Sequence, residues 1–285
     1  MSQDKEDKML HINSLQLNVH HDENDLKKKI AKTIGCNIDE IKEYEIRKRS
    51  IDARKKPDIS YSYSIDVSLL NEAKYLKKNK ALSIAKPVVY AYEDAKKLEI
   101  QKESKRPVVV GFGPAGIFAA LLLARSGLKP IVIERGGCVE DRTLSVNKFW
   151  SEGKLDTESN VSFGEGGAGT FSDGKLNTLV KDTFGRNKFV LKSLVEYGAP
   201  KEILYDNKPH IGTDLLTSIV RKIREEIKEL GGEVRFDTKL INIENIKDNK
   251  KKIEAVNKRN GKHEIIECEN IILALGHSAR DTFKA

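Results

Sequence analysis

The stretch VVVGFGPAGIFAALLLARSGLKPIVIERG, residues 108–136, constrains the fold of this chain more than any other. An apolar run at 108–110 enters a turn in which Gly111, Gly113 and Gly116 are spaced G-x-G-x-x-G. An apolar helix follows, ended by Gly127. A second apolar run, 129–134, ends in Glu134, 23 residues after Gly111. Each glycine has a physical task. Gly111 permits the tight turn out of the strand, Gly113 lets the backbone approach a pyrophosphate, and Gly116 packs helix against sheet. Pro114 and Ala115 open the helix, whose free N–H groups and positive dipole end face the phosphates. The bare spacing is a weak signal. Its strand–turn–helix–strand setting makes it a dinucleotide-binding unit rather than a glycine turn of an unrelated α/β domain.

Glu134 predicts the kind of dinucleotide. A carboxylate at this place accepts hydrogen bonds from the ribose hydroxyls and repels a 2′-phosphate. NADP is therefore disfavoured at this site, and NAD and FAD both remain.

The 285 residues suffice for two domains. Hydrophobic residues make up 39%, enough for a sizeable core despite 33% charge. Much of the net +8 lies in lysine-rich helical faces such as Lys27–Lys29 and Lys77, Lys78 and Lys80, which read as solvated surface. The three cysteines, Cys36, Cys138 and Cys268, are far apart and form no C-x-x-C, so neither a zinc site nor a redox dithiol is expected. The opening MSQDKEDKML is too polar for a signal peptide, and no apolar run reaches the about 18 residues of a membrane span. A cytoplasmic protein that does not enter a membrane is expected.

Residues 1–96 read as a small α+β domain. Strands are expected at 10–19, 43–51, 59–67 and 88–92, with helices at 25–34 and 69–80. The alternation ISYSYSIDV marks a half-buried strand. This order suits a ferredoxin-like sandwich. Residues 97–106 read as a charged linker, and 97–285 as an α/β dinucleotide-binding domain with an inserted α/β region. Within it, helices are expected at 183–198 and 212–230. Strands are expected at 233–237, 240–246, 253–258 and 263–267, and a fully buried one at 271–275.

A second glycine cluster, GEGGAGTFSDGKLNT at 164–178, contains G-x-x-x-x-G-K at 169–175. A phosphate-binding P-loop needs Ser or Thr next to hold Mg²⁺. Leu176 stands there instead, so an ATP site is not expected. Glycines at 164, 166, 167 and 169 expose backbone N–H groups to a polar ligand. Gly166, Gly167, Ala168, Gly169 and Thr170 are therefore candidate cofactor contacts, with Ser172 and Asp173 adding side-chain hydrogen bonds.

Two resemblances sharpen this reading. Glu134-Arg135-Gly136 resembles the E-R-G ending of FAD-binding domains in the glutathione-reductase-like superfamily, which tips the choice to FAD. More of the chain, namely IRKRSIDARKKP, RPVVVGFGPAG, ERG, Arg142, Phe149-Trp150, FGEGGAGTFSDGKLNT and GHSARDTF, resembles the uncharacterised bacterial FAD-dependent dehydrogenases often labelled NAD(FAD)-utilising dehydrogenases. The resemblance implies an FAD-dependent oxidoreductase, with NAD(P)H as a transient donor and an unidentified small-molecule substrate or electron acceptor. It implies that Lys239 and Leu240 bring backbone groups to the adenine and that Gly276 lies close to the cofactor. Members of that family continue beyond the GHSARD turn, so the chain is expected to be C-terminally incomplete and to hold FAD poorly.

No catalytic residue and no metal ligand is assigned. His277 is a candidate proton shuttle or a plain turn residue. Arg280 and Asp281 read as a local salt bridge, Lys175 as a flavin-stabilising or surface lysine, and Arg142 and Trp150 as anchors of the glycine segment. Cys138 lacks a redox partner. The basic cluster Arg47, Lys48, Arg49, Arg54, Lys55 and Lys56 raises one alternative, a flavoprotein that binds RNA through its first domain. Another is a non-catalytic FAD-binding module.

Overall fold

The computed structural model describes residues 9–86, 90, 105–171, 174–176, 178, 180–247 and 250–284. The chain divides into two compact units. One comprises Met1–Tyr90, Leu176–Lys192 and Pro200–Pro209; the other comprises Ala91–Lys175, Ser193–Ala199 and His210–Ala285.

The first unit carries β1 (Leu10–Asn18), α1 (Glu23–Ile34), β2 (Ile41–Asp52), β3 (Ser60–Leu69), α2 (Glu72–Lys78) and β4 (Leu82–Ile84). Its sheet order is β2-β3-β1-β4, antiparallel throughout, which is the ferredoxin-like arrangement. Alternation along β3 sends Tyr63, Ile65 and Val67 into a core with Leu26, Ile30 and Ile34 of α1. Asp22 caps α1 by accepting from Asp25 N at 2.8 Å, and Gly35 ends it in the left-handed region. Two features differ from expectation. Leu69 is buried at the end of β3, so α2 starts only after the Asn71 cap. A strand at Leu82–Ile84, which was not expected, pairs with β1; the strand expected at 88–92 lies, apart from Tyr90, outside the described residues.

The second unit holds a parallel sheet, β11-β5-β6-β7, built from β5 (Val108–Val110), β6 (Ile131–Ile133), β7 (Glu233–Arg235) and β11 (Ile271–Leu273). An antiparallel meander of β8 (Thr238–Asn245), β9 (Lys251–Asn257) and β10 (His263–Cys268) shares one core with it. Val108, Val110, Ile131 and Ile133 pack with Leu240, Ile253 and Ile266 in that core. Val109 and Val132 point the opposite way, toward α3 (Pro114–Arg125), which packs on α6 (Thr213–Glu229). Both helices bury the face their sequence predicts: Ile117, Ala120, Leu121 and Ala124 in α3, and Ile219, Val220, Ile223 and Ile227 in α6. This unit also holds α4 (Val139–Glu152), whereas α5 (Arg186–Glu196) has Arg186–Lys192 in the first unit and the rest in the second.

The structure corrects the strand expected at 271–275. It is the edge of the parallel sheet, and Ile272 and Leu273 are 38% and 52% exposed. Among the described residues, no helix is long and apolar enough to cross a membrane, and no group of three His, Cys, Asp or Glu side chains is placed to hold a metal ion.

Candidate cofactor site

β5 delivers the chain to Gly111, whose φ of 97° and contact with the Ala274 carbonyl exclude any side chain. A Cβ on Gly116 would collide with the carbonyl oxygen of Gly111, so this glycine serves helix-to-turn packing. Gly113 differs. A Cβ there would meet nothing closer than Gly167 Cα at 3.9 Å, and its φ is −78°. Protein packing does not require this glycine; the space it leaves opens to a cavity of about 570 Å³.

That cavity is lined by Gly111, Gly113, Pro114 and Ala115 of the turn, by Glu134 and Arg135, by Gly167 and Ala168, by Leu240, and by Gly276 and His277. Ten of the fourteen predicted contacts thus surround one space. Gly116, Gly166, Gly169 and Thr170 do not line it. Gly116 is buried in packing. Gly166 donates its N–H to Phe112 O at 2.9 Å, and Thr170 Oγ1 donates to Gly167 O at 3.0 Å. Gly169 sits in the short 3-10 turn Gly167–Phe171. Ser172 and Asp173 lie outside the described residues. Lys175 forms an isolated bridge with His210, and among the described residues after it no helix begins before Arg186, so the second glycine cluster lacks the helix a P-loop opens.

Glu134 has a second role beside the one its position predicts. It is 5% exposed. Oε2 accepts from Phe112 N at 2.7 Å, and Oε1 accepts from Gly136 N and Gly164 N, each at 2.9 Å. One carboxylate therefore joins the glycine turn, its own strand end and the second glycine cluster.

Arg142 holds that cluster from below. Its fully buried guanidinium donates to the carbonyls of Asn160, Val161, Glu165 and Gly167 and to Thr170 Oγ1, at 2.6–2.9 Å. Burial lowers its pKa to about 10, which leaves it charged at neutral pH. Trp150 meets Phe171 edge-on at 6.1 Å. The anchoring expected of both residues is thus supported by contacts. Glu165, also buried, accepts from Val139 N at 2.8 Å and pairs with Arg224 at 2.6 Å through the same Oε2. Among the described residues its Oε1 has no partner, and burial raises its pKa to about 7.

At the rim, Asp281 pairs with Arg135 at 3.0 Å and with Lys239 at 2.7 Å, not with Arg280 as expected. Hydrogen bonds from Arg135 and then Lys239 hold its carboxyl well below the ordinary range. Ser162, Phe163, Gly164, Thr238, Thr282 and Phe283 also line the cavity. Gly164, Phe163, Thr282 and Phe283 belong to the quoted motifs; Ser162 precedes the glycine cluster and Thr238 opens the meander, and neither carried a signal. The cysteines are three free thiols, and burial pushes the Cys138 thiol up.

In the first unit, the arginines of the basic cluster are already paired. Arg47 meets Asp66, Arg49 meets Asp206 through two bonds, and Arg54 meets Asp52. They do not form a row of free phosphate ligands.

A parallel sheet with a glycine turn at the carboxyl end of its strand, a helix N-terminus facing an open cavity, and an acidic second strand end define a dinucleotide-binding α/β protein of the Rossmann type. The chain belongs to the pyridine nucleotide-disulphide oxidoreductase family, whose model matches residues 105–284. Membership bears out FAD as the expected cofactor. Residues 9–68 match a domain of unknown function, DUF8436. An uncharacterized protein of Clostridium beijerinckii is 50% identical over 280 residues, covering 96% of this chain and 50% of that protein. The chain thus spans about half the length of the curated relative it matches. Among solved structures, the flavin-dependent monooxygenase PieE in complex with FAD and substrate is 17% identical with a TM-score of 0.38, covering 62% of this chain and 31% of that one. The bacillithiol disulfide reductase Bdr (YpdA) from Bacillus cereus is 17% identical with a TM-score of 0.34, covering 61% and 40%.

Proposed function

We propose that this chain is the cofactor-binding part of an FAD-dependent oxidoreductase acting on a small-molecule substrate or electron acceptor, with NAD(P)H as a transient donor. The observation that carries the reading is the free space at Gly113, which faces a cavity bounded by the dinucleotide turn, Glu134 and the returning strand. The donor set fits a pyrophosphate. The first turn of α3 has N–H groups without helical partners, at Ala115 and Gly116, and the helix dipole adds positive potential. Lys239 and Leu240 border the adenosine end, and Gly276 leaves room at the return turn. Bound FAD supplies the hydride and electron chemistry; the protein binds, orients and shields it. Arg142 and Glu134 fix the glycine cluster against the turn. With three separate free thiols, this stretch offers no cysteine pair for a dithiol relay. The motifs ERG and FGEGGAGTFSDGKLNT support the finer placement among the bacterial FAD-dependent dehydrogenases.

The test is a visible absorption spectrum of the purified protein, followed by acid release and mass identification of the cofactor. A flavin spectrum with released FAD is expected after FAD is added, stronger in a chain extended to the length of its relative than in this one. Absence of colour after FAD addition, both in this chain and in one extended to the length of its relative, overturns the reading.

A further inference from the structure

On the first unit, three side chains that the cofactor site does not use lie in sequence on one sheet face. His11 of β1 stands directly opposite Asp66 of β3, and Ser64 lies two residues before Asp66 on the same strand. His11 Nδ1 is 2.6 Å from Asp66 Oδ1, and His11 Nε2 is 3.3 Å from Ser64 Oγ. Asp66 is only 2% exposed, and Arg47 Nε holds its other oxygen at 2.5 Å. A carboxylate only accepts, so Nδ1 carries the proton and Nε2 is left to accept from the Ser64 hydroxyl. We propose that Ser64, His11 and Asp66 form a nucleophile–base–carboxylate relay for hydrolysis of small carboxylic esters.

Two further observations support a site rather than a polar patch. Register shifts occur on both neighbours of Ser64, between Ile12 and Leu15 in β1 and between Ile46 and Lys48 in β2. Bulges re-aim side chains, and the one in β2 contains Arg47. His11 and Asp66 also line a cavity of about 590 Å³ with Arg47, Lys86, Lys188 and Asp182. Arg47 is paired with both Asp66 and Glu45.

The relay runs as follows. Ser64 Oγ bonds to the ester carbonyl carbon while its proton passes to His11 Nε2. The carbon–oxygen bond to the alcohol breaks, and the leaving oxygen takes that proton. Water then gives a proton to Nε2 and its hydroxyl to the acyl carbon. The Ser64 Oγ–carbon bond breaks, and the proton returns to Ser64. Ester and water become acid and alcohol, with no oxidant or reductant. Arg47 shares the charge of Asp66, which weakens its support of an imidazolium, so slow turnover is expected and covalent capture is the sensitive readout.

The test treats the full chain with a fluorophosphonate probe and locates the adduct by peptide mass spectrometry, with circular dichroism melting to confirm folding. One adduct on Ser64 is expected, absent in Ser64→Ala and about 100-fold slower in His11→Gln. A folded wild-type chain without label on Ser64, or labelling of folded His11→Gln at the wild-type rate, overturns the proposal.

Discussion

Arg142 Nη1 lies 2.6 Å from the carbonyl oxygen of Glu165, and the same nitrogen reaches Gly167 O at 2.8 Å. A single buried cation thus gathers a segment that has almost no regular secondary structure of its own. Its planar fork reaches four carbonyls and a hydroxyl at once, which the point charge of a lysine does not do. Truncation would leave several buried carbonyls unpaired, each at about 1–3 kcal/mol.

Arg142→Lys should therefore lower the unfolding free energy by about 3 kcal/mol, and Arg142→Ala by at least as much. Urea unfolding measures it. FAD retention should fall in both variants, because the N–H of Gly164 no longer stays against Glu134. A variant as stable as the parent would show that the carbonyls find water or another donor.

The glycines of the turn should separate by effect. Gly113→Ala places a methyl group in free space at an ordinary φ, so the melting temperature should change little while FAD affinity drops at least about tenfold, or 1.4 kcal/mol. Gly116→Ala drives a methyl group into the Gly111 carbonyl and should cost folding itself. Differential scanning fluorimetry with and without FAD distinguishes the two. Equal loss of stability in both variants would remove the argument that Gly113 faces a ligand.

Much of this was legible in the sequence because period and turn chemistry are local. The strand–glycine–helix run gave β5, α3 and β6 nearly to the residue, and ISYSYSIDV gave β3. The edge position of β11 was not legible, since an apolar tripeptide reads the same whether its faces are covered or open. Nor was the split within the glycine cluster, where Gly167 and Ala168 line the cavity and Gly166, Gly169 and Thr170 turn to the protein. That split depends on where a side chain 23 to 28 residues earlier in sequence, Arg142, pulls the backbone. The inner role of Glu134 was hidden for the same reason, because its partners Phe112 and Gly164 are 22 and 30 residues away.

Glu134→Gln tests that inner role. Glutamine keeps one carbonyl oxygen for Gly136 and Gly164, but its NH₂ faces the Phe112 N–H and repels it. A loss of about 1–3 kcal/mol in stability is expected, together with weaker FAD binding by flavin-fluorescence titration. Were Glu134 only a ribose ligand, affinity would fall while stability in the absence of FAD stayed unchanged.

The last prediction concerns pH. Burial, with no partner for Oε1 among the described residues, raises Glu165 from 4.5 to about 7, even though Arg224 lies 2.6 Å from Oε2. A carboxyl whose folded pKa is raised binds its proton more tightly in the native state, so this group favours folding most below 4.5 and loses that contribution as pH rises to about 7. The shift corresponds to about 3 kcal/mol. Glu165→Gln removes the titration and keeps the shape. The stability of the variant relative to the parent should therefore rise between pH 4.5 and pH 8 by up to that amount, as read from urea unfolding at each pH. Other groups titrate in both proteins and cancel in the difference. A relative stability that stays flat across the window would mean that Arg224 and Val139 N hold the carboxylate ionised in the folded protein.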